Sequence, residues 1–86
     1  NLLEQTISQH PLVSAVAVKG VADDDWGERI VSWVVPKDLG NLPTLNDIRD
    51  HVAQTLPKFY CPKELNIVQS LPMTSLGKID KKALTA

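Results

Sequence analysis

Two short apolar runs set the fold of this chain: Val13-Ser14-Ala15-Val16-Ala17-Val18 and Ile30-Val31-Ser32-Trp33-Val34-Val35. Both are rich in β-branched residues and too short for a helix of ordinary length. Neither alternates cleanly between apolar and polar residues, as a strand with one wet face would. The pattern therefore predicts two strands covered on both faces, in a central sheet with other elements packed against it. Between the runs, Ala22-Asp23-Asp24-Asp25-Trp26-Gly27-Glu28 is polar and turn-forming.

The flanking segments read as the cover. Residues 2–9 predict a helix with Leu2, Leu3 and Ile7 on one side and Glu4, Gln5, Ser8 and Gln9 toward water. Pro11 disfavours helical geometry at His10 and stops it there. A loop runs from Pro36 to Pro43. Thr44 then caps a second helix, with Asp47 three residues on in the place a capping box usually gives to glutamate. Leu45, Ile48, Val52 and Leu56 recur at three and four residues and form its buried stripe, and Pro57 ends it. Residues 64–69 predict a third strand, with Leu65 and Ile67 on one side and Val68 on the other. A loop over 70–78 leads to a final short helix capped by Asp80. The order αββαβα predicts an α+β domain, a small three-stranded sheet covered by helices.

Length and charge exclude several functions. Eighty-six residues suffice for one modest core. The net charge is −1, so no global field draws in nucleic acid or an anionic membrane. The basic residues Lys78, Lys81 and Lys82 form too short a cluster, without interleaved aromatics, to bind nucleic acid. No apolar run approaches the roughly 18 residues of a membrane span. Cys61 is the one cysteine, which excludes an internal disulfide and favours a reducing, cytoplasmic setting. The chain does not begin with methionine, and an upstream domain is expected.

The chemistry concentrates in Leu71-Pro72-Met73-Thr74-Ser75-Leu76-Gly77-Lys78-Ile79-Asp80-Lys81-Lys82-Ala83-Leu84. A Walker loop is excluded: it needs glycine where Pro72 stands and serine or threonine where Ile79 stands. On spacing alone, Gly77-Lys78 reads as a turn glycine beside a solvated lysine. The whole string, however, resembles the C-terminal signature of the adenylate-forming superfamily: acyl-CoA synthetases, aryl-acid ligases and the adenylation domains of nonribosomal peptide synthetases. Leu71, Pro72, Thr74, Gly77, Lys78, Ile79 and Lys81 match it. His10-Pro11-x-Val13, Gly20-Val21-x-Asp23 with Trp26-Gly27-Glu28, and Lys58-Phe59-x-x-Pro62-Lys63 resemble other parts of the family in the same order, so the likeness covers nearly the whole chain.

The resemblance implies that residues 1–86 are the mobile C-terminal lid of an enzyme whose N-terminal nucleotide-binding domain lies outside this sequence. Such an enzyme activates a carboxylic acid with ATP as an acyl-adenylate and passes the acyl group to a thiol, of coenzyme A or of a carrier-protein pantetheine. Mg²⁺ is expected in the full enzyme, and no cofactor is expected on this domain alone. The family's lysine maps onto Lys78, which would act catalytically between carboxylate and α-phosphate, with Gly77 and Thr74 shaping the loop that meets the substrates. An acyl- or aryl-CoA ligase is the leading expectation. The alternatives are the lid of an aryl-acid or peptide-synthetase adenylation domain, and a non-catalytic binding module in which Lys78 is merely exposed.

Other residues carry less. Trp26, Gly27, Glu28 and Lys81 are candidates for contact with the missing domain: a tryptophan in a polar loop often marks a contact surface, while the plainer readings are a structural turn residue for Glu28 and a solvated face for Lys81. Lys81 stands where many family members have arginine, and a lysine there lacks the bidentate fork. Asp23, Asp24 and Asp25 lack the pattern of a calcium loop, so no metal site is expected. His10 and His51 form no triad that order alone can argue. Cys61 reads as a small packing residue.

Overall fold

The two apolar runs pair with each other. In a computed structural model describing residues 1–25 and 27–85, β1 (Val13–Asp23) and β2 (Gly27–Pro36) form a long antiparallel hairpin. Both strands extend well past the apolar runs and into the polar segment, leaving only its tip as the turn. Gly27 closes that turn with a φ of +76°, a left-handed value that glycine adopts without a Cβ penalty. β3 (Glu64–Ile67) lies parallel to β2, giving the order β1-β2-β3. A parallel neighbour cannot be reached by a tight turn, and α2 (Leu45–Ala53) lies in the crossover. α1 (Leu2–Ser8) precedes the sheet, and single 3₁₀ turns occupy Lys58–Tyr60 and Lys81–Ala83. This is the expected α+β domain.

Register explains why the runs do not alternate. Val16 lies opposite Val34 and Ala17 opposite Trp33, so cross-strand partners share a face. One face holds Val16, Val18 and Val34, buried against Leu3 and Ile7 of α1 and Ile48 and Val52 of α2. The other holds Ala17, Val31 and Trp33, buried against Leu84, with Leu71 and Ile79 packed alongside. Burial on both faces is what the continuous apolar runs require. The second cover, however, is extended chain and one 3₁₀ turn rather than a full helix. Asp80 caps that turn by accepting from the Lys82 amide, and only Ala83→Asp80 and Leu84→Lys81 backbone bonds follow. Two such bonds suffice to aim Leu84 inward but not to propagate a helix.

Both helices start as capping boxes. The Asp47 amide donates to Thr44 Oγ1 (3.1 Å) and the Thr44 amide donates to Asp47 Oδ2 (2.9 Å). Asn1 and Glu4 make the same reciprocal pair on α1. Glu4 departs from the expected water-facing role. Its Oε2 accepts the Val18 amide (3.0 Å) and the Lys81 ammonium (3.3 Å), tying α1, the edge strand β1 and the C-terminal turn together.

Candidate functional site

The loop around Lys78 is a small hairpin of its own. Met73 and Ile79 bridge as antiparallel partners, and the Asp80 amide donates to the Pro72 carbonyl (2.8 Å). Inside that rung, the Thr74 amide donates to the Lys78 carbonyl (2.7 Å) and the Gly77 amide donates to the Thr74 carbonyl (3.0 Å). Thr74 Oγ1 accepts the Lys78 amide (3.3 Å), so the threonine fixes the turn with side chain and backbone alike. Gly77 sits at φ +83°. Nothing lies within 4 Å of where its Cβ would be, so the backbone angle rather than crowding demands glycine there. This is the three-residue hairpin pattern, a turn followed by a left-handed glycine.

The root of this hairpin is fixed to the sheet. Leu71 and Ile79 pack with Trp33, and Lys19 Nζ holds the Leu84 carbonyl at 3.1 Å. Its tip, Thr74 to Lys78, is exposed. Lys78 makes no ion pair among the described residues. A free ammonium thus stands on a hydrogen-bonded turn whose base is packed in the core. Such a group can deliver a point charge to a site outside its own domain, because the charge has no ion-pair partner among the described residues.

The other candidates lie elsewhere. Lys81 is held by Glu4, an ion pair in place of the plain solvated reading. The Glu28 side chain lies across Gly20 on the neighbouring strand, occupying the space a Cβ there would need. Glu28 and Lys81 both border an apolar groove of about 460 Å³ with Leu2, Ile30 and Tyr60 on its walls. Lys78, Gly77 and Thr74 do not line it. Gly27 is exposed at the hairpin turn, and the expectation for Trp26 lies outside the described residues. No three His, Cys, Asp or Glu side chains converge as a metal site among the described residues.

Sequence reading missed two constellations. Arg29 Nε donates to Glu64 Oε1 (2.8 Å) and its Nη1 to the Ala22 carbonyl (3.0 Å), clamping the β1–β2 hairpin onto β3. A charged residue beside an apolar run gives no sign of its partner 35 positions away. His10 and His51 meet edge to face, with ring centroids 5.1 Å apart. His10 Nδ1 accepts the Leu12 amide (3.1 Å), and His51 Nε2 donates to the Thr6 carbonyl (2.8 Å). Linear order does not show that α1 packs against α2 beside His51.

Burial, and then repulsion from His51, lower the His10 pKa below its ordinary value, outweighing attraction to Asp47. The folded state therefore prefers neutral His10. The stabilisation is present above the unfolded-state value of about 6.5 and is lost as pH falls through the lower folded value. We expect the melting temperature to fall between about pH 7 and pH 5, and His10→Asn, which keeps an acceptor for the Leu12 amide, to flatten that dependence. An equally steep profile in the variant would contradict this assignment. Asp47, held low by the Thr44 amide and hydroxyl, loses its contribution only at more acidic pH.

Comparison with known proteins identifies the family and the fold. A family model described as AMP-binding enzyme C-terminal domain matches residues 2–78. The chain is 43% identical over 82 residues to the protein named "Probable 2-succinylbenzoate--CoA ligase" of Mycobacterium tuberculosis, covering 95% of this chain and 21% of that one. Among solved structures, the amide bond synthetase McbA from Marinactinospora thermotolerans superposes with a TM-score of 0.88 at 37% identity, over 94% of this chain and 16% of that one. A malonyl-CoA ligase bound to methylmalonyl-CoA and AMP superposes with a TM-score of 0.78 at 38% identity, over 83% and 15%. The chain thus spans about a fifth of the length of that curated relative.

Proposed function

The chain belongs to the AMP-binding enzyme C-terminal domain family, and from that premise we propose that it is the mobile lid of an AMP-forming acid–thiol ligase whose nucleotide-binding domain lies N-terminal to it. The carboxylate oxygen of the acid attacks the α-phosphorus of ATP. A new P–O bond forms, the bond to the β-phosphate oxygen breaks, and pyrophosphate leaves. Both reactants are anions, so approach is opposed by charge. An ammonium held between them offsets that repulsion and stabilises charge in transit, most strongly where the closed lid excludes water. Lys78 supplies it. In the second step the thiol sulfur attacks the adenylate carbonyl and AMP departs, and rotation of the lid withdraws Lys78 first. Magnesium would be held with the ATP phosphates in the larger domain.

One observation carries this reading: Lys78 is exposed and unpaired among the described residues, on a turn fixed by Thr74 and Gly77 and rooted in the core. Coenzyme A is the proposed acceptor, supported by the names of the 2-succinylbenzoate and malonyl relatives. The same fold occurs in an amide bond synthetase, so the fold by itself does not fix the acceptor. Among the described residues no helix is long and apolar enough to cross a membrane. A cytoplasmic setting is part of the proposal and rests on the lone Cys61.

The test is to incubate the full-length protein with ATP, coenzyme A and a panel of carboxylic acids. AMP and thioester should form in equal amounts with at least one acid, and the 86-residue chain alone should form neither. Turnover by the isolated chain would overturn the assignment.

A further inference from the structure

Leu76 is 85% exposed, the highest value among the large apolar residues exposed on the described surface. It occupies the tip of the Lys78 hairpin, between Ser75 and the left-handed Gly77. Turn positions favour Asn, Asp, Ser and Gly, whose side chains or flexibility serve the turn itself. Nothing in the local hydrogen bonding uses a leucine there: the turn is closed by Thr74, Gly77 and Lys78. Phe59, also well exposed, has a stacking partner in Tyr60 at 4.9 Å. Met73, 56% exposed, adds a second apolar side chain on the same hairpin. Exposed apolar residues are unremarkable when scattered singly. Here one sits two positions from the residue that carries the proposed catalytic ammonium, and the hydrogen-bonded turn fixes the backbone at Thr74, Gly77 and Lys78 around it.

Resting on the lid function above, we propose that Leu76 is a positioning residue: it seats in an apolar recess of the nucleotide-binding domain when the lid closes, and so sets where Lys78 arrives. Leu76 touches no reacting atom. Its burial occurs only in the closed adenylating arrangement, so it biases the lid toward that arrangement without altering the fold of this domain. Losing that burial shrinks the closed population, which lowers kcat for adenylation more than it raises KM for ATP.

The experiment uses the full-length protein with Leu76→Ser, Leu76→Met and Lys78→Ala. It measures ATP–pyrophosphate exchange with its kcat and KM, and thioester formation from supplied acyl-adenylate. Leu76→Ser should lower exchange kcat by roughly 10- to 100-fold, the scale set by burying one leucine side chain. The KM for ATP and the second half-reaction should stay near wild type. Leu76→Met, apolar and of similar volume, should recover most of the exchange. Wild-type exchange in Leu76→Ser, with exchange lost in Lys78→Ala, would overturn this inference alone. Equal losses in both half-reactions would also overturn it, since they indicate general damage. Normal exchange in Lys78→Ala would overturn the lid function and this inference with it.

Discussion

Replacing Lys78 by alanine in the full-length protein is expected to lower ATP–pyrophosphate exchange by about 10²- to 10³-fold or more, the scale observed when one preorganised electrostatic contact to a reacting centre is removed. The magnitude follows from where the charge stands. At a solvated surface, water would screen a lysine and its loss would matter little. Enclosed between carboxylate and phosphate in the closed lid we propose, the same ammonium would act in a low-dielectric site. Lys78→Arg should recover only part of the activity, because a planar guanidinium cannot replace a compact point charge on a flexible stem without displacing the hairpin. The fold should be indifferent to either change, since Lys78 is exposed and its backbone bonds, rather than its side chain, close the turn. A melting temperature within a degree or two of wild type would accompany the kinetic loss.

The largest effect on stability is expected at Ile48. It is fully buried in the middle of α2, in the cluster that joins both helices to Val16, Val18 and Val34. Ile48→Ala removes three carbons and leaves a cavity that α1 and the sheet can only partly close. The cost should be about 2–5 kcal/mol. A domain of this size has little more than that to lose. In chemical denaturation the midpoint should drop sharply with little change in slope. A loss below about 1 kcal/mol would mean that α2 packs less tightly against the sheet than the cluster indicates.

Much of this fold was legible in the sequence because its signals are local. The runs at 13–18 and 30–35 announced two-sided strands, and Thr44 with Asp47 announced the start of α2. What was not legible depends on long-range partners. Glu4 has the spacing of a solvated helix residue, yet it serves as a hub because β1 presents the Val18 amide beside it and Lys81 reaches back to it. Arg29 and Glu64 lie in separate strands, and no periodicity links them. His10 and His51 meet only because α1 packs against α2. The last element was expected as a helix and is one 3₁₀ turn, because its task is to bury Leu84 rather than to present a stripe.

The site shows the same division. Gly77 and Thr74 announced a turn, and the structure gives its hydrogen bonds and left-handed glycine. Lys78 was legible as a candidate through the string around it, since an exposed lysine by itself carries no distinguishing pattern. Glu28 and Lys81 share a groove that Thr74, Gly77 and Lys78 do not line, a grouping that linear order did not show.

In the proposed cycle Lys78 enters for the first half-reaction and leaves for the second. The measurement that tests it most directly follows both half-reactions in the same full-length Lys78→Ala protein: ATP–pyrophosphate exchange, and thioester formation from pre-made acyl-adenylate. Exchange should collapse while thioester formation stays within a few-fold of wild type. Unchanged exchange, or an equal collapse of both, would contradict it.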